Sequence, residues 1–199
     1  WKKINKILRS YTVVGYNWQG YDILTLRWAV ENPWCDAAAI NDVSRRIIGE
    51  RMKWWKAADR LGITIPHDWD FIDLMEPQPN ARASLKALNA RMHGRWMQEL
   101  PYPFDEELDD EQKDHVLTYM VNDLDATESL WHMLREPMAL REAMGATVGA
   151  DVRSKSDTQM GMAIVKHRVE KALKGRVYKR EANRSQSFLL PPSLDELVR

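Results

Sequence analysis

The hydrophobic positions at the start of the chain change from one spacing to another. Residues 1–10 carry apolar side chains at helical intervals among lysine and arginine, which predicts a short amphipathic helix. The run 11-YTVVGY-16 is rich in β-branched and aromatic residues and predicts a buried strand. From Tyr21 the apolar residues recur at intervals of three and four, which predicts a helix to about residue 31, closed by Asn32-Pro33.

The middle of the chain predicts one long helix, a short strand and a capped helix. Residues 36–61 have apolar side chains along one helical face. After a loop, Phe71 to Leu74 reads as a short strand, and turn residues follow it. Ser84 is a suitable N-cap for a helix over residues 84–92.

The second half of the chain predicts helices almost throughout. The strongest pattern covers residues 111–136, and further helices are predicted over 137–149 and from Ser156 or Asp157 to about residue 174. The predicted buried face of the strongest helix consists of Val116, Tyr119, Met120, Leu124, Thr127, Leu130, Trp131 and Leu134.

The composition limits the class of protein but does not indicate its binding partners. Hydrophobic residues make up 44% of the chain, enough for a sizeable core, while 29 basic residues balance 29 acidic ones. The single cysteine, Cys35, excludes an internal disulfide and fits a reducing compartment. With no long apolar run and no signal peptide, we expect a cytoplasmic location. The chain starts with Trp1 inside a predicted helix, so we expect a fragment.

Two carboxylates stand at informative places. Asp22 lies where a buried strand passes into a helix, and open α/β sheets bind ligands at the carboxyl ends of their strands. The alternative is an acid that caps the helix amides. Asp123 lies on the predicted apolar face, one turn after Tyr119, and a buried carboxylate needs a metal, a cation or a donor. Its alternative is a hydrogen bond to a neighbouring loop.

Together these two sites carry a resemblance to a known family. The strings 17-NWQGYD-22 and 119-YMVND-123, about a hundred residues apart, resemble the second and third motifs of the DEDDy 3′–5′ exonucleases. These are the proofreading domains of family A and B DNA polymerases and their relatives. Between them, 71-FIDLM-75 and 84-SLKALNARM-92 resemble the intermediate segment of that family. The resemblance extends over roughly residues 5–135.

The resemblance implies an α/β, ribonuclease H-like exonuclease fold, helix-rich and lacking its N-terminal strands in this chain. Residues 1–150 are then a partial 3′–5′ exonuclease domain, and residues 151–199 are a basic helical extension and linker that leads into a following domain. The implied activity is metal-dependent hydrolysis of DNA from the 3′ end. The implied setting is a phage or bacterial DNA polymerase-like protein, in the bacterial host cytoplasm if phage-encoded.

The resemblance also implies a role for each site residue. Asp22 and Asp123 would be ligands of two Mg²⁺ or Mn²⁺ ions, hard cations that prefer carboxylate oxygens. Tyr119 would orient the attacking water, since its ordinary pKa near 10 makes it a poor base. Asn17 would steady the motif loop or contact the terminal nucleotide. Tyr21, the other substrate-binding candidate, would pack beneath Asp22.

One part of the family pattern is missing. The first motif, a D-x-E string on the first strand, does not occur at the corresponding place, so the implied acids lie upstream of Trp1 or have been lost. The string Asp105-Glu106-Glu107 lies instead in an acidic, proline-led segment between the other motifs, which favours a solvated loop.

The expected partners are the 3′ end of single-stranded DNA and a polymerase domain or other replication protein. Trp54-Trp55 and the basic run 166–180 are candidate nucleic-acid contacts, although core packing and a solvated helix face are the alternatives. Two other functions stay open. One is a non-catalytic nucleic-acid-binding or scaffold module that kept the fold, and the other is a related RNA-trimming exonuclease.

Overall fold

The structure, a computed structural model, describes residues 1–49, 53–78, 83–103 and 106–178. Its contacts divide the chain into two compact units at Ile164–Val165. None of the helices in the described ranges is long and apolar enough to cross a membrane. The elements of the described residues are α1 (Lys2–Ser10), β1 (Val13–Gly15), α2 (Asp22–Glu31), α3 (Ala37–Gly49), α4 (Trp54–Leu61), β2 (Phe71–Asp73), α5 (Leu85–Arg91), α6 (Asp110–Met133), α7 (Arg135–Val148) and α8 (Asp157–Leu173).

The two strands pair in parallel. Val13 lies opposite Phe71, and Gly15 lies opposite Asp73. A parallel pair needs a long crossover, which α2, α3 and α4 provide here. Both strands therefore end at the same edge of the sheet, and the segments that leave them start side by side.

Alternate strand residues enter two different cores because successive side chains point to opposite faces of a sheet. Val13 and Phe71 pack against the core built by α1 to α4, and Val14 and Ile72 belong to the core that includes residues of α5, α6 and α7. The buried residues of the first core are Leu8, Ile23, Leu24, Val43, Ile47, Ala57, Ala58, Ile63 and Trp69. Those of the second are Ile72, Leu74, Leu88, Leu130, Leu134 and Met138.

Most predicted elements are confirmed, but the single helix predicted over residues 36–61 is wrong. The chain forms α3 and then α4, with residues 50–52 outside the described residues. Lys53 has extended backbone angles, φ −63° and ψ 140°, so α4 starts afresh after it. The sequence did not predict this interruption because the apolar residues keep the same helical spacing on both sides of the break.

The predicted buried face of α6 is wrong in its first half. The side chains of Met120 and Leu124 are 52% and 67% exposed, whereas Ala126 and Leu130 are buried. The second core takes its α6 residues from the C-terminal half of the helix. Met120 and Leu124 in the first half therefore lie at the surface. The side of α6 toward α5 carries polar residues such as Asp123, which the apolar spacing had placed on the buried face.

One buried arginine fixes the connection between α7 and α8. The Arg141 side chain is 2% exposed. Its Nε donates to the carbonyl oxygen of Lys155 at 3.1 Å, and its Nη2 pairs with Asp157 Oδ1 at 2.5 Å. Val152 in the same connection is fully buried. These contacts hold residues 149–156 in one conformation.

Candidate functional site at the carboxyl edge of the sheet

The segment after β1 is a loop in which the Asn17 side chain packs closely against Gly20. Asn17 has a positive φ of 56°, and its side chain folds against Gly20. A Cβ atom at Gly20 would lie 2.3 Å from Asn17 Oδ1. The backbone N–H of Gln19 donates to Asp73 Oδ2 at 2.9 Å, so the loop is attached to the end of β2.

Asp73 is the residue that joins the segments at this edge. It is 5% exposed, and its Oδ1 accepts a hydrogen bond from the N–H of Met75 at 3.0 Å. Its own N–H donates to Ser154 Oγ at 2.9 Å. Burial raises the pKa of the Asp73 carboxyl, although the backbone N–H groups that it accepts from lower it. Asp73 therefore holds the Asn17–Gly20 loop and the α7–α8 connection together.

Asp73 lies in the string 71-FIDLM-75 of the motif resemblance, but it was not predicted to be a site residue. An acid at the end of an apolar strand was the available signal, because the carboxyl ends of parallel strands are where ligands bind. The position of Asp73 indicates a site residue only in combination with the parallel pairing of β2 with β1, which the sequence does not show.

Asp22 lies close enough to Asp73 for the charges of the two carboxyls to interact. It is the first residue of α2, whereas Tyr21 is the N-cap and makes no side-chain cap hydrogen bond. Burial and the negative charge of Asp73 raise the pKa of the Asp22 carboxyl to about 6, against the lowering effect of its own backbone N–H. Two adjacent desolvated carboxylates disfavour each other's charge and attract a cation.

The hydroxyl of Tyr21 is already engaged within the protein. It lies 2.6 Å from Ser44 Oγ of α3, and the ring packs against the first core. This contact ties the start of α2 to α3. The prediction that Tyr21 contacts substrate stays a prediction.

Tyr119 and Asp123 are brought together on α6, one helical turn apart. The Lys86 ammonium lies 5.6 Å from the centroid of the Tyr119 ring and also pairs with Glu99 at 2.5 Å. Burial, then the charge of Asp123 and a hydrogen bond to it, raise the pKa of the Tyr119 hydroxyl. Asp123 therefore has a donor and a neighbouring cation, and the Tyr119 hydroxyl loses its proton less readily than that of an ordinary tyrosine.

The predicted site residues are divided among cavities. Asn17 lines the cleft at the sheet edge, whereas Tyr21 and Asp22 do not line it. Tyr119 lines a separate pocket with Glu99 and His115, and Asp123 lines a third one. A cleft of about 880 Å³ lies at the carboxyl edge of the sheet. Its lining residues are Asn17, Gln19, Gly20, Lys53, Trp54, Trp55, Trp69, Asp70, Phe71, Asp73, Met75, Glu76, Asp151, Ser154, Lys155 and Gln159. A pocket of about 10 Å³ beside Asp123 is lined by Leu85, Lys86, Asn89, Met97, Gln98, Asn122, Asp123 and Ala126. These two sets of lining residues share no member.

The oxygen donors at the sheet edge fit the implied cation in kind. Asp22 and Asp73 offer carboxylates, which Mg²⁺ and Mn²⁺ prefer, and Mg²⁺ is often held by one or two carboxylates with water completing its shell. Within the residues that the structure describes, no group of three or more His, Cys, Asp or Glu side chains is placed to hold a metal ion. The cation ligation by Asp22 and Asp123 stays a prediction.

The remaining candidates have mixed outcomes. Asp105 lies outside the described residues, and Glu106 and Glu107 are exposed, as in a solvated acidic loop. Trp54 packs against the first core, whereas Trp55 is 50% exposed and lines the cleft. The basic run is described only as far as Tyr178.

Comparison of the chain with protein-family models, curated proteins and solved structures finds no match.

Proposed function

We propose that the chain is part of a metal-dependent 3′–5′ exonuclease that hydrolyses phosphodiester bonds at the 3′ end of single-stranded DNA. The observation that carries the proposal is that two buried carboxylates, Asp22 and Asp73, interact electrostatically near the edge where both parallel strands end. The order of the strings 17-NWQGYD-22 and 119-YMVND-123 supports the same function.

In this proposal the residues at the sheet edge hold the cation and the terminal nucleotide. Asp22 and Asp73 supply carboxylate oxygens to Mg²⁺ or Mn²⁺, and the charge conflict between them is relieved by the cation. When bound, the cation stabilises negative charge on the phosphate and promotes ionisation of water. Asn17 packs against Gly20 and lines the cleft, where it would contact the terminal nucleotide.

In the same proposal α6 supplies the groups that handle the attacking water. The Tyr119 hydroxyl orients the water and does not act as its base, because the pKa of Tyr119 is raised. Asp123 accepts from Tyr119 and serves as the further cation ligand that the motif resemblance implies. A polymerase domain or other replication protein, of phage or bacterial origin, is the proposed context.

A second candidate function is a non-catalytic nucleic-acid-binding or scaffold module. The observation that favours it is the environment of Asp123, which already has Tyr119 as a donor and Lys86 as a neighbouring cation. A carboxylate with these partners is stable without a metal. The two functions differ in whether the protein hydrolyses DNA.

The test is hydrolysis of a 5′-labelled single-stranded oligodeoxynucleotide by the full-length protein. We expect a descending ladder of products with Mg²⁺ or Mn²⁺ and none with EDTA. Asp22→Asn and Asp123→Asn should each abolish the ladder without unfolding the protein. Asp125→Asn is the matched control, since Asp125 is an exposed acid of α6.

The outcomes separate the candidate functions. Full activity in Asp123→Asn refutes the assignment of Asp123. Metal-dependent DNA binding with no hydrolysis in the unaltered protein favours the non-catalytic module. Hydrolysis of an RNA oligonucleotide of the same sequence, with the DNA left intact, favours the RNA-trimming exonuclease.

A further inference from the structure

The cleft at the sheet edge has a wall that the motif resemblance does not cover. Residues 151–159, beyond the end of the resemblance at about residue 135, contribute Asp151, Ser154, Lys155 and Gln159 to its lining. Another part of the wall comes from the start of α4, through Lys53, Trp54 and Trp55. The motif residues therefore explain one side of the cleft, and these two segments require an explanation of their own.

Trp55 presents an aromatic surface to the cleft. Its neighbour Trp54 packs against the first core, and the two rings meet edge to face with centroids 5.9 Å apart. Trp54 therefore anchors the pair, and Trp55 stays 50% exposed. The Lys53 ammonium lies 5.1 Å from the centroid of the Trp55 ring. An exposed indole with a cation beside it matches the surface on which proteins stack nucleobases next to a phosphate.

Lys155 presents a positive charge to the same cleft from a fixed backbone. Buried Arg141 binds its carbonyl oxygen at 3.1 Å, and the preceding Ser154 accepts a hydrogen bond from the N–H of Asp73 at 2.9 Å. Arg153 pairs with Asp70 of the strand-entry segment at 2.5 Å. Among the residues that the structure describes, no acid forms an ion pair with the Lys155 ammonium, so it is available to a ligand.

The lining of the cleft carries charges of both signs, with Asp70, Asp73, Glu76 and Asp151 on one hand and Lys53 and Lys155 on the other. Two lining acids, Asp70 and Asp151, are already paired with Arg153 at 2.5 and 2.8 Å. Lys53 and Lys155 place positive charge on the α4 and α7–α8 sides of the cleft. The volume of about 880 Å³ lies in the upper part of the range of ligand clefts, roughly 300–1,000 Å³, which is room for a nucleotide and an adjoining phosphate.

We infer that this cleft binds single-stranded nucleic acid, with a nucleobase stacked on Trp55 and a backbone phosphate at Lys155. The inference rests on the proposed function for the identity of the strand and adds the residues that hold it. Stacking on an indole does not distinguish one base from another, so we expect little sequence preference. Binding at Trp55 and Lys155 requires no cation, which separates this site from the hydrolytic one.

The experiment measures binding of fluorescein-labelled oligothymidylate by anisotropy, in EDTA so that no hydrolysis occurs. Trp55→Ala should weaken binding by about 5- to 150-fold, the range for losing one stacked base, and Trp55→Phe should restore most of it. Trp34→Ala is the matched control, because Trp34 is 96% exposed and does not line the cleft.

Salt dependence tests the phosphate contact. Lys155→Gln should reduce the slope of log K against log salt by about 0.7, the value for one phosphate contact on a single strand. Lys56→Gln removes the same charge from an exposed position of α4 outside the cleft and should leave the slope unchanged. Each variant is first compared with the parent protein by thermal unfolding.

The results decide the inference separately from the proposed function. Binding by Trp55→Ala within twofold of the parent, or equal losses in Trp55→Ala and Trp34→Ala, overturns it even if the protein is an exonuclease. The expected losses in a protein that never hydrolyses DNA uphold the binding site and refute the exonuclease. If Trp55→Ala unfolds, Lys155→Gln still decides, since an unchanged salt slope in that variant contradicts the site.

Discussion

Replacing Asp22 by Asn should stabilise the metal-free protein at neutral pH. Burial and the charge of Asp73 raise the pKa of Asp22 from 3.8 to about 6. The ionised carboxyl is then less favourable in the folded than in the unfolded state by about 3 kcal/mol. Asparagine is uncharged and similar in size, so Asp22→Asn removes this cost. We expect the free energy of unfolding at pH 7.5 to rise by up to about 3 kcal/mol.

The sign of the pH dependence follows from where the proton binds. Between about pH 4 and pH 6 the folded state holds the Asp22 proton more tightly than the unfolded state, so the contribution of this residue to stability falls as the pH rises. Well below pH 3.8 the carboxyl is protonated in both states, so the difference between variant and parent should shrink toward zero as the pH falls through this value. Asp73, whose pKa is also raised, should respond in the same direction.

The assay is urea unfolding followed by tryptophan fluorescence, in EDTA, at pH 4.0, 5.0, 6.0 and 7.5. Asp125→Asn removes an equal charge from an exposed position and should stay within about 0.5 kcal/mol of the parent at every pH. A difference between Asp22→Asn and the parent that is the same at pH 4.0 and 7.5 would refute the reasoning. So would a variant less stable than the parent at pH 7.5.

Three further predictions concern the loop, the buried arginine and the tyrosine. Gly20→Ala should lower the free energy of unfolding in urea by about 1–3 kcal/mol, because the new Cβ meets Asn17 Oδ1 at 2.3 Å. Gly161→Ala, which places a Cβ in open space within α8, should not destabilise the protein. Equal effects of the two substitutions would contradict the loop packing. Arg141→Leu should cost about 1–3 kcal/mol in the same assay, because the Lys155 carbonyl loses its donor, and a variant as stable as the parent would show that this bond is not needed. Tyr119→Phe should lower kcat of the full-length protein by on the order of 10² with KM unchanged in steady-state hydrolysis, and an unchanged kcat would remove Tyr119 from the reaction.

Local signals in the sequence predicted the elements near the site well. The apolar run before Asn17 marked β1, the change of spacing marked α2 from Asp22, and Ser84 caps α5 by accepting from the N–H of Ala87. Each of these depends on residues close together in the chain. The boundaries therefore followed from side-chain chemistry within one or two turns.

Features that depend on distant residues were missed. The break before α4 falls where the apolar spacing continues unbroken, and the burial of α6 depends on which half meets the sheet. Asp73 lies at the site because it accepts a hydrogen bond from the N–H of Gln19, which is 54 positions away in the chain. The position of Lys155 at the same cleft depends on the hydrogen bond that its carbonyl oxygen accepts from Arg141, and no spacing in the sequence links Arg141 to the motifs.

The central claim, a metal-dependent 3′–5′ exonuclease centred on Asp22, is tested most directly by the first product released from DNA. A single-stranded oligodeoxynucleotide carries a radioactive phosphate between its last two nucleotides and is incubated with the full-length protein and Mg²⁺. The account predicts that the first labelled product is a nucleoside monophosphate and that Asp22→Asn releases none. A labelled product longer than a mononucleotide, or equal release by Asp22→Asn, would contradict it.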